Sequence, residues 1–241
     1  MIELLTTCFK NDGYLHREMS IFEEPGLDCP LFFSKKPTDI KHIKPVFEAD
    51  RNLFIIYMIR DPRDSMTSIH KAQPDRYFSN FRIWKECADS ASAIATSSRF
   101  ALIRYEDLVI EPDKVQAQLI VDFPFLEKTH DFSNFAHFSG SSERSMLAMG
   151  GLRPVSATTM GNWKKHLPRV KAQLMLRPDL ADSLIAYGYE SDHAWQEILA
   201  TVKPDFSRGR YAERKSIIKA WETRLRIWLK IRKYLRKIPA S

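Results

Sequence analysis

The chain has 241 residues, 44% apolar and 12% aromatic, enough for one domain, or one domain with an appendage, to bury a sizeable core; wholesale disorder is excluded. Its 37 Lys+Arg against 30 Asp+Glu leave a charge of +7, yet 13 of the basic and only 3 of the acidic residues lie within 203–241, so the body is mildly acidic and a uniformly basic nucleic-acid-binding surface is excluded. Cys8, Cys29 and Cys87 are too far apart for a disulfide framework or a zinc signature, and the longest apolar run, Leu53–Ile59, is far short of the roughly 20 residues a spanning helix needs.

The N-terminus lacks the basic-then-apolar pattern of a signal peptide, which fits a cytoplasmic protein in a reducing compartment. Strand-length apolar runs alternate with longer helical patterns. Leu31–Ser34, Asn52–Ile59 and Arg99–Tyr105 read as buried strands. Pro37–Ala49, Asp61–Ala72, Arg76–Thr96 and Pro112–Asp122 read as helices between and after them. This alternation predicts an α/β layered fold with a central parallel sheet. Residues 129–160 form an aperiodic loop, and helices resume at about 161–166, 172–176, 180–187 and 193–202. The predicted body spans 1–202, and 203–241 is a basic, helical extension. In its helix, over about Tyr211–Lys237, Ile218, Trp221, Leu225, Trp228 and Leu235 make an apolar stripe among Arg and Lys.

The segment 53–70 carries the most chemistry. Arg60 emerges at the carboxyl edge of an apolar strand, where open α/β sheets place ligands. Asp61 suits an N-cap, and Pro62 suits the first helical position. With Ser68 about two turns into that helix, a strand-end Arg and a helix-borne hydroxyl would grip a phosphate from two sides. The alternative is an ordinary βα turn with Arg60 and Arg63 on the surface.

The pattern Arg60-Asp-Pro-Arg63-Asp-(x)3-Ser68 after an apolar strand resembles the 3′-phosphate-binding segment of sulfotransferases that use 3′-phosphoadenosine 5′-phosphosulfate (PAPS). The resemblance implies a P-loop-type, three-layer α/β fold, with Arg60 and Ser68 on the 3′-phosphate. Three further segments are similar to the family's. Arg104-Tyr105-Glu106-Asp107-Leu108 matches an RYEDL segment, read here as helix capping by Asp107 and Glu106. Arg153-Pro-Val-Ser-(x)4-Gly161-Asn162-Trp163-Lys164 resembles the loop that closes over the nucleotide. There Arg153 would reach the 3′-phosphate while Trp163 holds the loop; a core Trp beside solvated lysines is the plain alternative. Lys35, in Lys35-Lys36-Pro37, matches the spacing of a Lys that faces the transferring sulfuryl group, where a cation would offset developing negative charge. His70 and the Glu23-Glu24-Pro25 segment are candidates for the general base, with nothing to select between them.

The family's opening strand and PxSGTT-type loop have no counterpart, and Met1-Ile-Glu-Leu-Leu-Thr-Thr-Cys8 reads like the helix that follows that loop. Either a longer protein contains this chain, which the intact downstream order favours, or it is a short form lacking the loop and much of its catalysis. The resemblance covers roughly residues 13–188 and implies sulfuryl transfer from PAPS to an acceptor hydroxyl, on a carbohydrate or glycolipid, without a metal. The competing expectation is a nucleotide-binding or scaffold relative that docks to a membrane or partner through its basic helix. For that helix, an anionic membrane surface and a stripe folded back on the body are both open, and nucleic acid is disfavoured.

Overall fold

The computed structural model describes residues 1–10, 20–23, 31, 33–70, 73–138, 157–207, 209 and 216–238. Helix α1 (Ile2–Cys8) opens the chain, as its sequence suggests. The helix predicted over Pro37–Ala49 is divided at Ile43 into a 3-10 helix (Pro37–His42) and α2 (Lys44–Ala49). Pro45 has no N–H for a continuous helix, and its ring would clash with the preceding turn.

Strand β1 (Ile55–Ile59) leads into α3 (Pro62–Met66), whose N-cap Asp61 accepts a hydrogen bond from the Arg63 N–H at 2.8 Å. The helix expected to reach Ala72 stops at Met66. The Thr67 hydroxyl donates to the Arg63 carbonyl at 2.7 Å, and the chain enters an antiparallel pair, β2 (Ile69–His70) with β3 (Gln73–Tyr77). The helix expected from Arg76 therefore begins later, as α4 (Phe81–Ser92). The Asn80 side chain sets that start by accepting from the Ile83 N–H at 3.0 Å.

Strand β4 (Phe100–Arg104) runs straight into α5 (Tyr105–Ile110), and α6 (Pro112–Asp122) has the bounds its Pro start implies. A short α7 (Phe135–Phe138), a 3-10 turn (Asn162–His166), α8 (Leu167–Leu176), α9 (Asp179–Ala186) and a 3-10 helix (Ala194–Leu199) follow. The chain ends in α10 (Ile217–Leu235). Residues 205–207 are tied to the body: the Asp205 N–H donates to the Pro168 carbonyl at 2.9 Å, and Arg169 donates to the Ser207 carbonyl at 3.1 Å.

The fold is mixed α/β. β1 pairs directly with β4, in parallel, from Ile55↔Phe100 to Ile59↔Arg104. Register partners share a face, so Ile56, Ala101 and Ile103 enter one core with Leu4, Leu5 and Leu119, from α1 and α6. Ile55, Tyr57 and Phe100 enter another with Phe47 and Ile83, from α2 and α4. Helices thus lie against both faces of the pair. Of the third predicted strand, Phe32 lies outside the described residues, Ser34 occupies an isolated bridge position, and Leu31 and Phe33 pack against the first core. Met58 and Leu102 stay exposed, so the strand pair is only partly covered.

Burial also sets the alkaline behaviour of the core. It pushes the Cys8 and Cys87 thiols up to about 11, with Asp113 and Asp131 adding to the effect at Cys8 and Lys41 opposing it at Cys87. Burial likewise raises the phenols of Tyr57, Tyr189 and Tyr234. In the unfolded chain these groups ionise near their ordinary values, while the folded state keeps them protonated. Their contribution is therefore intact below about pH 8.5 and is lost as pH rises through the folded values. The urea midpoint should hold up to about pH 8 and fall clearly by about pH 10.5. Equal midpoints at the two pH values would contradict the burial assigned to these thiols and phenols.

Candidate functional site

The turn after β1 is built around two carboxylates. Asp61 caps α3 and also holds the Arg63 guanidinium, accepting from its Nε at 3.1 Å and its Nη2 at 2.8 Å. On the other side Arg63 Nη1 meets Glu190 at 2.5 Å. Its guanidinium lies 4.1 Å from the centre of the Trp163 ring and 5.0 Å from that of Trp195. Burial opposes the Arg63 charge, but the hydrogen bonds and charges of Asp61 and Glu190 more than offset it and raise its pKa. Arg63 is therefore not the surface residue of an ordinary turn. It is a core cation, 3% exposed.

Asp64 works in the opposite direction, toward a distant loop. Its Oδ2 accepts from the Gly161 N–H at 2.8 Å and its Oδ1 from the Trp163 N–H at 2.9 Å. This brings the Arg60–Asp64 segment onto the Gly161–Lys164 segment, the two halves of the sequence resemblance. Gly161 has φ +69, in the left-handed region where glycine is favoured, and this conformation presents both N–H groups of the loop to one carboxylate. Trp163 is a buried core residue and also fastens the loop, while Lys164 and Lys165 are exposed.

Arg60 sits over this junction. Its Nη2 donates to the Thr159 carbonyl at 2.5 Å and lies 3.3 Å from Asp64 Oδ2. Its guanidinium stacks on the Tyr105 ring, 4.4 Å from the centroid, and the Tyr105 hydroxyl is 2.7 Å from Thr159 Oγ1. The Trp84 indole N–H donates to the Arg60 carbonyl at 2.8 Å, fixing the backbone at the strand end. Arg60 Nε and Glu106 Oε2 are buried without a hydrogen-bond partner among the described residues. The unpaired Nε–H is a donor suited to an anion.

Glu106 does not cap its own helix. Its Oε1 accepts from the Asp61 N–H at 3.0 Å, across to the β1–α3 turn, and α5 has no side-chain cap. The sequence reading of Glu106 and Asp107 as local caps is corrected accordingly: Arg104 already directs the chain from strand to helix, and the open donor lies on the neighbouring turn. Arg104 itself donates to the Tyr187 carbonyl at 2.8 Å and stacks on Tyr189.

The other predicted site residues are placed less closely. Ser68 is exposed, in the extended segment after α3 rather than two turns into a helix, and its carbonyl accepts from the Phe78 N–H at 2.8 Å. Lys35 is exposed just ahead of the Pro37–His42 helix. Arg153 and the Glu24-Pro25 pair lie outside the described residues. Among the described residues no cluster of three or more His, Cys, Asp or Glu could hold a metal ion. Tyr105, Thr159 and Glu190 were not singled out from sequence. For Asp64 a signal did exist, the second Asp of Asp61-Pro-Arg-Asp64, which a helix start does not itself require.

No protein-family model matches the chain, and no curated protein matches it.

The junction yields two stability predictions. Arg63→Met should strand Asp61 as a buried, unpaired charge, with the half-buried Glu190 turned to solvent, and lower stability by about 3–5 kcal/mol, read by urea unfolding. Gly161→Ala should cost only about 1 kcal/mol, because no atom lies within 4 Å of an added Cβ and the penalty is that of the left-handed backbone alone.

Proposed function

We propose that the junction at the end of β1 binds the phosphate of a nucleotide, and that the chain is a sulfotransferase-type protein that moves a sulfuryl group from PAPS to an acceptor hydroxyl, on a carbohydrate or glycolipid. The observation that carries this reading is the Asp64 clamp. It joins two segments 97 residues apart that resemble one family's nucleotide site, beside an Arg60 guanidinium with an unused buried donor. Helices on both faces of the parallel β1–β4 pair support a layered, P-loop-type architecture as part of the same proposal.

In this reading Arg60 and Ser68 hold the 3′-phosphate, and Arg153 adds a further cation to it. The bond between sulfur and the bridging oxygen of the 5′-phosphate breaks as the acceptor oxygen bonds to sulfur, and the acceptor proton passes to a base. Lys35 offsets the charge that develops on the departing phosphate. A nucleotide-binding relative without turnover is the second reading. It is favoured by the commitment of Arg60 Nη2 to Asp64 and the Thr159 carbonyl, contacts that hold the loop and take part of the Arg60 charge away from a bound phosphate.

Calorimetry with 3′-phosphoadenosine 5′-phosphate tests the shared step. Wild type should bind, and Arg60→Ala should lose roughly ten-fold or more in affinity, the worth of one charge-assisted contact, without loss of folding. Equal affinity of the two proteins would overturn the role of Arg60. Incubation of the wild type with PAPS and candidate acceptors then separates the readings: a sulfated product supports the transferase, and binding without product supports the second reading.

A further inference from the structure

Helix α10 has more than one apolar face, and only one of them is used by the body. Ile231 packs into the core that holds Phe47 and Ile83, and Tyr234, 5% exposed, joins it there. The Tyr234 hydroxyl donates to Asp50 at 2.5 Å, which fixes the rotation of the helix. The stripe legible in the sequence is not the docked face. Trp221, Leu225 and Trp228 are 66%, 59% and 51% exposed, and Leu229 and Leu235 are exposed beside them. At about 100° per residue, Trp221, Leu225, Trp228 and Leu235 fall within an arc of about 80°, centred roughly 110° from the direction of Ile231 and Tyr234. From Trp221 to Leu235 the stripe therefore does not fold back on the body.

An exposed stripe with two tryptophans is costly to leave in water, and its chemistry specifies a cover. Residues 217–238 contain eight Lys or Arg and one Glu. By the same arithmetic Arg232 lies within the stripe and Arg224 and Arg236 at its margins, positions from which long cations reach outward while their stems stay on apolar surface. Arg232 stacks over Trp228, 5.1 Å from its ring centre. Indole rings flanked by guanidinium groups match the boundary between lipid headgroups and acyl chains. A second copy of the helix would set these cations against their own kind, which disfavours self-pairing. Among the described residues no helix is long and apolar enough to cross a membrane, so contact would lie in the plane of the surface.

We propose that the Trp221–Leu225–Trp228 face of α10 binds an anionic lipid bilayer, with the helix axis in the plane of the surface and the body docked along the flank of α10. The proposal is independent of nucleotide binding at Arg60. The full chain is sedimented with vesicles of phosphatidylcholine containing about one-third phosphatidylserine, and with pure phosphatidylcholine. Wild type should bind the anionic vesicles roughly ten-fold better than the neutral ones, less so as salt is raised, and with a blue shift in tryptophan emission. That shift reports this face, because Trp84, Trp163 and Trp195 are buried. A variant carrying Trp221→Ser, Leu225→Ser and Trp228→Ser should keep the wild-type Tm and lose roughly ten-fold or more of the binding. Absence of wild-type binding, equal binding to both vesicle types, or binding unchanged in the variant would overturn the proposal. So would a lipid-free dimer that the same variant converts to monomer, which would give the face to a second copy.

Discussion

Asp64 is one buried carboxylate that accepts two backbone N–H groups from a loop 97 residues away and lies beside Arg60 as well. Without a partner of that kind the buried Trp163 amide would go unpaired, at a cost of about 1–3 kcal/mol, and the half-buried Gly161 amide would be left to solvent. The rest of the site follows from this attachment. Thr159 is carried to Arg60, Trp163 is carried onto Arg63, and the Arg63 charge becomes tolerable because Asp61 and Glu190 meet it from two sides. Asp61, the N-cap of a five-residue helix, and Asp64, three residues further on within it, face different tasks, one internal to the turn and one across the molecule.

This arrangement explains why α3 is short. Its role is to place a cap, a core cation and a clamp within one turn, and after Met66 the chain is needed elsewhere, in the β2–β3 pair. Local preference had little to say against a longer helix over 61–72. The decision came from Thr67, whose hydroxyl turns back to the Arg63 carbonyl, and from Asn80, which starts α4 at a later point than hydrophobic periodicity suggests. Both are short polar side chains that compete with the backbone for its own hydrogen bonds.

The parallel β1–β4 pair sets Arg60 and Arg104 at the same end: Arg104 belongs to the last register pair, Ile59↔Arg104, and Arg60 follows Ile59. From there the two arginines diverge. Arg60 reaches the clamped loop and stacks on Tyr105, while Arg104 reaches the carbonyl of Tyr187 and stacks on Tyr189. Neighbouring cations at one strand end are thus separated by the aromatic rings they choose. Among the described residues the Arg60 Nε–H is buried without a partner, and this donor adds to the nucleotide reading that the Asp64 clamp carries.

Much of the local structure was legible in the sequence, and for local reasons. Pro112 and the apolar spacing behind it determined α6, the run Ile55–Ile59 specified a strand, though one less fully buried than its apolar composition implies, and Asp61-Pro62 specified a capped helix start at the strand end. The alternation of strand and helix was enough to give an α/β class. The cationic, Trp-bearing character of α10 was equally plain. What the tertiary structure alone decided are the long-range partners: Glu106 on the Asp61 amide, Glu190 on Arg63, Asp64 on Gly161 and Trp163, and Asp50 on Tyr234. The physical reason is that one sequence defines which side chains have charges or donors to satisfy, but their partners depend on which distant segments the core brings within 3 Å. For α10 this meant that the sequence showed an apolar stripe, while the docking of Tyr234 determined that the stripe faces away from the body.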